Sequence, residues 1–316
     1  PLRMHVGGPC SPIVKVGDRV LRGQLIAEPS GLGANIHASY TGEVTAVTET
    51  DIVIKADDKQ NFDEYVKIPD TKTNLEAIAA AGVVGAGGAG FPTAVKLKTE
   101  IPQGCFIANC AECEPLLAHN IHQIETDAAQ LVRGVKYAME ITKAPKGYIA
   151  IKPKHKKAVI ELIKACRNED NIDVFRLPDM YPSGDERVIV REVMGIELEP
   201  GQLPGTVGAC IDNAETLKNI ALAIEERKPV IDKDITVSGR VAHKESVFVD
   251  VPIGTPMGDL IERAGGFINP HGEIVVCGPQ TGRTGSEETP VTKTSGGCLV
   301  AMPFPQEKRK AGILIC

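Results

Sequence analysis

The sequence predicts an α/β protein: a mostly parallel sheet covered by helices, with a β-rich module before it and a small mixed unit after it. Three observations carry this expectation. Between about residues 72 and 228, compact apolar runs alternate with stretches of helical period. Residues 1–70 hold short alternating runs broken by glycines. A glycine-dense loop, Gly85-Ala86-Gly87-Gly88-Ala89-Gly90-Phe91, stands near the head of the alternating region.

The elements follow in order. In the N-terminal segment, Val14–Val20 alternates apolar and polar residues, and Gln24–Glu28 and Ile36–Val44 continue the pattern as short strands with tight turns. Asn74–Ala81 reads as a short Asn-capped helix. Cys105–Asn109, Tyr148–Ile151 and Ile172–Leu177 are strands, and His119–Met139, Ala158–Ile163, Glu186–Met194 and Ala214–Ile224 are helices. In residues 230–290, Ile235–Val241, Val247–Val251 and Ile274–Gly278 are strands around a helix at Met257–Ala264. The predicted division is 1–70, 71–228, 229–290 and a C-terminal segment 291–316.

The glycine loop is the most informative stretch. Without Cβ atoms its backbone can approach a ligand, and Pro92 suits the first turn of a following helix. Unpaired amides at a helix start favour an anion such as a phosphate. Gly85, Gly87 and Gly90 fit the G-x-G-x-x-G spacing, but a helix at 74–81 stands where the dinucleotide fingerprint needs a strand. No Gly-Lys-Ser/Thr follows, which excludes a P-loop. A plain helix connection is the alternative reading.

In a parallel sheet, ligands lie beyond the carboxyl ends of the strands. That places two loops on the ligand side: Asn109-Cys110-Ala111-Glu112-Cys113-Glu114 and Tyr181-Pro182-Ser183-Gly184-Asp185-Glu186. Asp212-Asn213 precedes a helix, where capping alone would account for it. Cys110 and Cys113 form a single C-x-x-C, read first as bystander thiols and otherwise as a redox pair or half a metal site. His37, with no Cys or His near it, reads as a turn or core histidine.

Composition narrows the function. The chain has 316 residues, 42% hydrophobic and 24% charged, within the ordinary globular range. A net charge of −6 and only 4% aromatic residues give nucleic-acid binding no support. No apolar run approaches the roughly 20 residues of a transmembrane helix. Nine irregularly spaced cysteines fit a reducing cytoplasm. Pro1 in place of Met, with no signal peptide, is expected to mark a fragment. No Ser–His–Asp or Cys–His set points to protein-based nucleophilic catalysis.

Four motifs together, GAGGAGFPTAVKL, ANCAECEPLL, YPSGDERVIVREVMG and DNAETLKNIA, resemble the signatures of the RnfC family, over about residues 3–301. That family is related to the NADH- and FMN-binding flavin subunit of respiratory complex I. The N-terminal wording is closest to soluble RnfC-like proteins such as PrdC, the proline reductase-associated electron transfer protein. The resemblance implies a central Rossmann-like three-layer flavin domain, an N-terminal barrel-sandwich (lipoyl-like) module without its carrier lysine, and a C-terminal β-grasp (SLBB) domain. It implies one FMN. Backbone amides of Gly85, Gly87, Gly88 and Gly90 would approach its phosphate, with Lys96 as a nearby cation. Asn109 and Glu112 would face the flavin; Tyr181, Gly184, Asp185 and Glu186 would form a second wall; Asn213 and Thr216 would hold the phosphate or ribityl end. Phe91 and Glu114 occupy the positions that meet NADH.

The protein would then oxidise NADH at FMN and pass electrons through iron–sulfur clusters to a partner reductase, with proline reductase the implied candidate. It would act in the cytoplasm, alone or beside a membrane or enzyme complex. The family's cluster-binding C-x-x-C-x-x-C runs are missing here, and Cys316 reads as the start of that missing region. Ala86 and Ala111 stand where complex I relatives carry charged residues. This leaves room for a flavin-free scaffold, and a cobalamin reductase of the PduS type is the other alternative.

Overall fold

The computed structural model describes residues 1–304. The N-terminal module contains β1 (Cys10–Pro12), β2 (Arg19–Val20), β3 (Leu25–Pro29), β4 (Ile36–His37), β5 (Gly42–Val47) and β6 (Ile52–Ala56). They form two facing three-stranded sheets, β1-β3-β4 and β2-β5-β6. The strands are shorter than the alternation suggests. Val14–Arg19 turns through Gly17 at φ +90° before β2 begins, and the Ile36–Val44 run breaks into β4 and β5. A barrel-sandwich needs such corners, and only short strands turn between two small sheets.

The central unit opens with α1 (Asn74–Ala80). Its cap is Thr73, not Asn74: the Thr73 hydroxyl accepts from the Glu76 amide while the Glu76 carboxylate accepts from the Thr73 amide. This reciprocal capping box satisfies two otherwise orphaned donors. Next come α2 (Thr93–Lys96), β7 (Cys105–Cys110), α3 (His119–Thr142), β8 (Lys146–Ile151), α4 (Lys156–Ala165), β9 (Ile172–Arg176), α5 (Glu186–Met194), β10 (Ala209–Asn213) and α6 (Ala214–Glu225). The sheet order is β10-β7-β8-β9, and every pair is parallel. Phe106, Ala108 and Cys110 of β7 face the core beneath α1, α3, α4 and α6. Cys105 and Ile107 face the opposite side, with Ile189 and Val190 of α5. The result is the three-layer α/β arrangement expected from the sequence. Within α3, Asp127 leaves the helical region (φ −147°, ψ 74°), and its carboxylate accepts from the Gln130 amide, so it caps the second half of the element.

The third unit comprises β11 (Asp232–Gly239), β12 (Ser246–Pro252), α7 (Met257–Arg263), β13 (Ile274–Val276), β14 (Arg283–Gly285) and β15 (Gly297–Val300). Its mixed sheet runs β12-β11-β15-β13-β14. β15 is central and parallel to β11, so this sheet extends past residue 290, the expected limit of the unit. Gly297 and Cys298 hide the strand in sequence, yet they fill a slot between two other strands. The expected role of Cys316 lies outside the described residues.

Buried charge ties the three units together. Arg22 of the N-terminal module grips both oxygens of Asp232 at 2.7 and 2.6 Å, and Lys228 reaches the same carboxylate at 2.9 Å. Lys218 of α6 bonds Asp234 at 2.9 Å and Asp250 at 3.0 Å. Lys233 pairs with Glu215 of α6. Removing one partner from such a pair leaves a buried charge behind. Arg22→Leu is therefore expected to lower stability by about 3–5 kcal/mol, read as a drop in the urea unfolding midpoint.

Candidate functional site

A cavity of about 530 Å³ lies at the carboxyl ends of β7 and β10. The central and third units line it. The glycine loop contributes Gly87, Gly88 and Ala89, the strand ends contribute Asn109 and Asn213, and the third unit contributes Cys277, Gly278, Thr281, Thr294 and Gly296. The first turn of α3 adds His119 and Asn120, and Asp185, the cap of α5, lies on the far side. Asn213 caps α6, its side-chain oxygen accepting from the Glu215 amide at 2.9 Å. Three helix N-termini thus converge on one space, and each favours negative charge.

The glycine loop is held at both ends. The Gly85 amide donates to the Phe91 carbonyl at 3.0 Å, and Val84 and Pro92 form a β-bridge. The Ala86 amide donates to the buried Thr216 hydroxyl at 2.9 Å. Between these anchors, the amides of Gly87, Gly88, Ala89 and Gly90 have no acceptor among the described residues. A Cβ at Gly87 would stand 2.7 Å from the Asn213 side-chain nitrogen, so the loop packs against that cap. Gly90 has φ +75°, and a Cβ there would meet Thr294 and the backbone of Met4 and His5 at 3.0–3.1 Å. Both positions exclude a side chain for a physical reason.

Several expected roles change. Gly85 uses its amide to close the loop, so it has none to offer a phosphate. Pro92 precedes a helix of only four residues, and the loop does not run into a long dipole. Lys96 is turned away from the cavity. It reaches the Ile211 carbonyl at 2.6 Å, buried Asp212 at 3.1 Å and Glu186 at 3.6 Å. Burial opposes its charge, but Asp212 and Glu186 outweigh that and hold it firmly protonated. Glu186 therefore serves Lys96 and does not line the cavity, and Thr216 acts from behind the loop. Phe91 also lies outside the cavity. Glu114 lines it, with both carboxylate oxygens engaged by the third unit: the Gln280 amide at 3.0 Å and the Thr281 hydroxyl at 2.6 Å.

Other expectations meet at the site. The loops after β7 and β9 both reach it, through Asn109, Glu112, Tyr181, Gly184 and Asp185. The Asn109 side-chain Nδ2 donates to the Gly184 carbonyl at 2.9 Å and so joins the two loops. The Cys113 sulfur accepts from the Gly184 amide at 2.7 Å, while Cys110 is buried in the core beneath the helices. The two thiols of the C-x-x-C thus face different surroundings, and both are free. Burial pushes the Cys110 thiol well up, away from a reactive thiolate. Among the described residues no group of three His, Cys, Asp or Glu side chains could hold a metal ion. The wall from the third unit and the His119-Asn120 pair escaped the sequence reading. Their signals were present: glycines at 278, 282, 296 and 297, and two polar residues opening an apolar helical period.

Comparison with known proteins sets this geometry in a family. Residues 1–62 match the model of the RnfC barrel sandwich hybrid domain, and residues 78–222 match that of the Nuo51 FMN-binding domain. A subunit of the Na(+)-translocating ferredoxin:NAD(+) oxidoreductase complex of Acetobacterium woodii is 34% identical over 320 residues, covering 95% of this chain and 72% of that protein. The chain belongs to the RnfC family. The corresponding component of the proton-translocating ferredoxin:NAD(+) oxidoreductase complex of Clostridium ljungdahlii is 36% identical over 318 residues, covering 95% and 69%. Cobalamin reductase PduS of Salmonella typhimurium is 42% identical over 226 residues, covering 71% of this chain but 49% of that protein. This RnfC-family chain therefore spans about two thirds of the relatives from the two ion-translocating complexes and half of PduS. An NAD+-reducing nickel-iron hydrogenase in its H2-reduced state shares the fold, with TM-score 0.59 and 22% identity over 72% of this chain and 46% of that one. The named relatives are oxidoreductases or their subunits. No helix among the described residues is long and apolar enough to cross a membrane.

Glu112 carries a measurable signature of the site. Burial pushes its carboxyl up to about 7, against the hydrogen bonds from Asn120 that favour the ionised form. A carboxyl whose folded value is raised destabilises the fold as pH climbs from its unfolded value toward the folded one. Glu112→Gln is thus expected to be more stable than the parent at pH 8, by on the order of 2 kcal/mol. The difference should vanish at pH 4; thermal melts at the two pH values check it.

Proposed function

We propose that this chain is the electron-entry part of a flavoprotein that oxidises NADH at FMN and passes the electrons onward, through iron–sulfur clusters borne outside residues 1–304, to a partner reductase. The observation that carries the reading is the run of four amides without a protein acceptor, Gly87–Gly90, at a cavity large enough for a flavin. The match of residues 78–222 to an FMN-binding domain supports it.

In this reading the amides of Gly87, Gly88 and Gly90 hold the phosphate. The α6 terminus capped by Asn213 adds favourable field. Asn109 and Glu112 line the flavin's flank, with Tyr181, Gly184 and Asp185 opposite. Lys96 and Glu186 fix the sheet edge, and Thr216 fixes the loop. Bound FMN supplies the hydride and single-electron chemistry; the side chains orient it and exclude water. Glu114 remains the candidate to accept from the hydroxyls of NADH, in exchange for its bonds to Gln280 and Thr281. The third unit, with one helix on a five-stranded mixed sheet, is proposed as the SLBB β-grasp domain. Proline reductase is the acceptor that the sequence resemblance suggests. The 42% identity to PduS favours a corrin as the second candidate.

Purified chain reconstituted with FMN is expected to retain yellow colour and to bleach with NADH under anaerobic conditions. Gly87→Asp should weaken FMN retention at least a hundredfold, because its side chain would strike Asn213 and repel the phosphate. Colourless parent protein would favour the flavin-free scaffold.

A further inference from the structure

Lys293 stands apart from the other buried lysines of the site region. It is 1% exposed and makes no ion pair among the described residues. Lys96, Lys218 and Lys233 each reach a carboxylate; the Lys293 ammonium instead donates to two carbonyls, those of Asn35 and Gly82, each at 2.6 Å. The groups facing it are His5, Cys10 of β1 and His37 of β4, none of them a carboxylate. A buried ammonium without an anion is unfavourable, and a chain that keeps one needs compensating charge.

Its place in the fold indicates where that charge comes from. Gly82 leads into the glycine loop, and the residue after Lys293, Thr294, both lines the cavity and packs so close to Gly90 that a Cβ there would stand 3.0 Å from its methyl group. Lys293 is therefore anchored at Gly82, three residues ahead of the loop, on the protein side, where its ammonium joins the third unit to Asn35 of the N-terminal module and to the central unit. We infer that Lys293 is the countercharge for the anionic group held by the Gly87–Gly90 amides, acting through the loop as a positioning residue. This rests on the functional reading above and adds a coupling to it: an anion in the cavity favours the charged amine, so binding and the charge on Lys293 rise together.

The coupling falls in an accessible range. Burial lowers the Lys293 amine to about 7, and Cys10 only partly opposes this. An anion that restores one unit of pKa binds tenfold tighter to the protonated form. Affinity should then weaken as pH rises, since the amine discharges.

The test titrates the chain with FMN and with riboflavin, which lacks the phosphate, by fluorescence quenching from pH 6.5 to 8.5. The parent's FMN Kd is expected to rise about sixfold over this range relative to riboflavin. Lys293→Met, with its fold checked by thermal melting, should bind FMN about tenfold more weakly at pH 6.5 and lose the extra pH dependence. Equal losses for FMN and riboflavin would reduce Lys293 to a structural clasp and overturn the inference, as would an unchanged FMN profile. Should the variant not fold, calorimetry of the parent at pH 8 in two buffers decides. Uptake of about 0.4 proton with FMN beyond that with riboflavin supports the coupling, and no difference refutes it. A parent that binds neither flavin overturns the functional reading, and this inference with it.

Discussion

The site depends on one hydrogen bond between distant parts of the chain, from the Ala86 amide to the Thr216 hydroxyl. It fixes the start of the glycine loop against α6, while the Gly85–Phe91 bond closes its base. With both ends secured, the intervening amides stay clear of protein acceptors. A loop free to collapse could close those donors on the protein; held open, Gly87, Gly88 and Ala89 stay exposed to solvent and to a ligand. The anchoring thus converts glycine flexibility into a preorganised concave surface, and preorganised donors lose little entropy when they meet an anion.

The central and third units build one cavity, and a seam of buried charge fixes all three units against one another. Arg22, Lys218 and Lys233 bring the N-terminal module, α6 and β11 together through buried pairs. Such pairs add little net stability, but mispairing them leaves an uncompensated charge, which favours one mutual arrangement. The walls from the third unit then fall opposite the strand ends of the central sheet. Glu114 shows the consequence: a loop of the central unit finds both hydrogen-bond partners in the third.

Much of the architecture was legible because apolar period is a local signal. The bounds of α5 and the start of α6 agree with the sequence reading, and β7, β8 and β9 differ from it by one or two residues at an end. β10 was missed, since Ala209-Cys210-Ile211 is brief and Asp212-Asn213 reads as a helix start. β15 was missed for a similar reason, Gly297 and Cys298 carrying no strand signal of their own. Residues expected beside strand ends do line the cavity, because the parallel sheet dictates where its open end lies. Lys96 and Glu186 do not line it: charge type is visible in sequence, but the buried Asp212 that claims Lys96 is a tertiary fact. The buried cation bonded to Gly82, just ahead of the loop, comes from position 293, some two hundred residues further on, and no local pattern announces it.

The central claim is that the backbone between Gly87 and Gly90, and not a side chain, grips the anionic end of the cofactor. Amide proton shifts in glycine-labelled protein, followed as FMN is added, test this directly. Downfield shifts concentrated at Gly87, Gly88 and Gly90, with Gly85 little changed, are the expected result. Shifts confined to glycines far from this loop, such as Gly195 and Gly201, would contradict it.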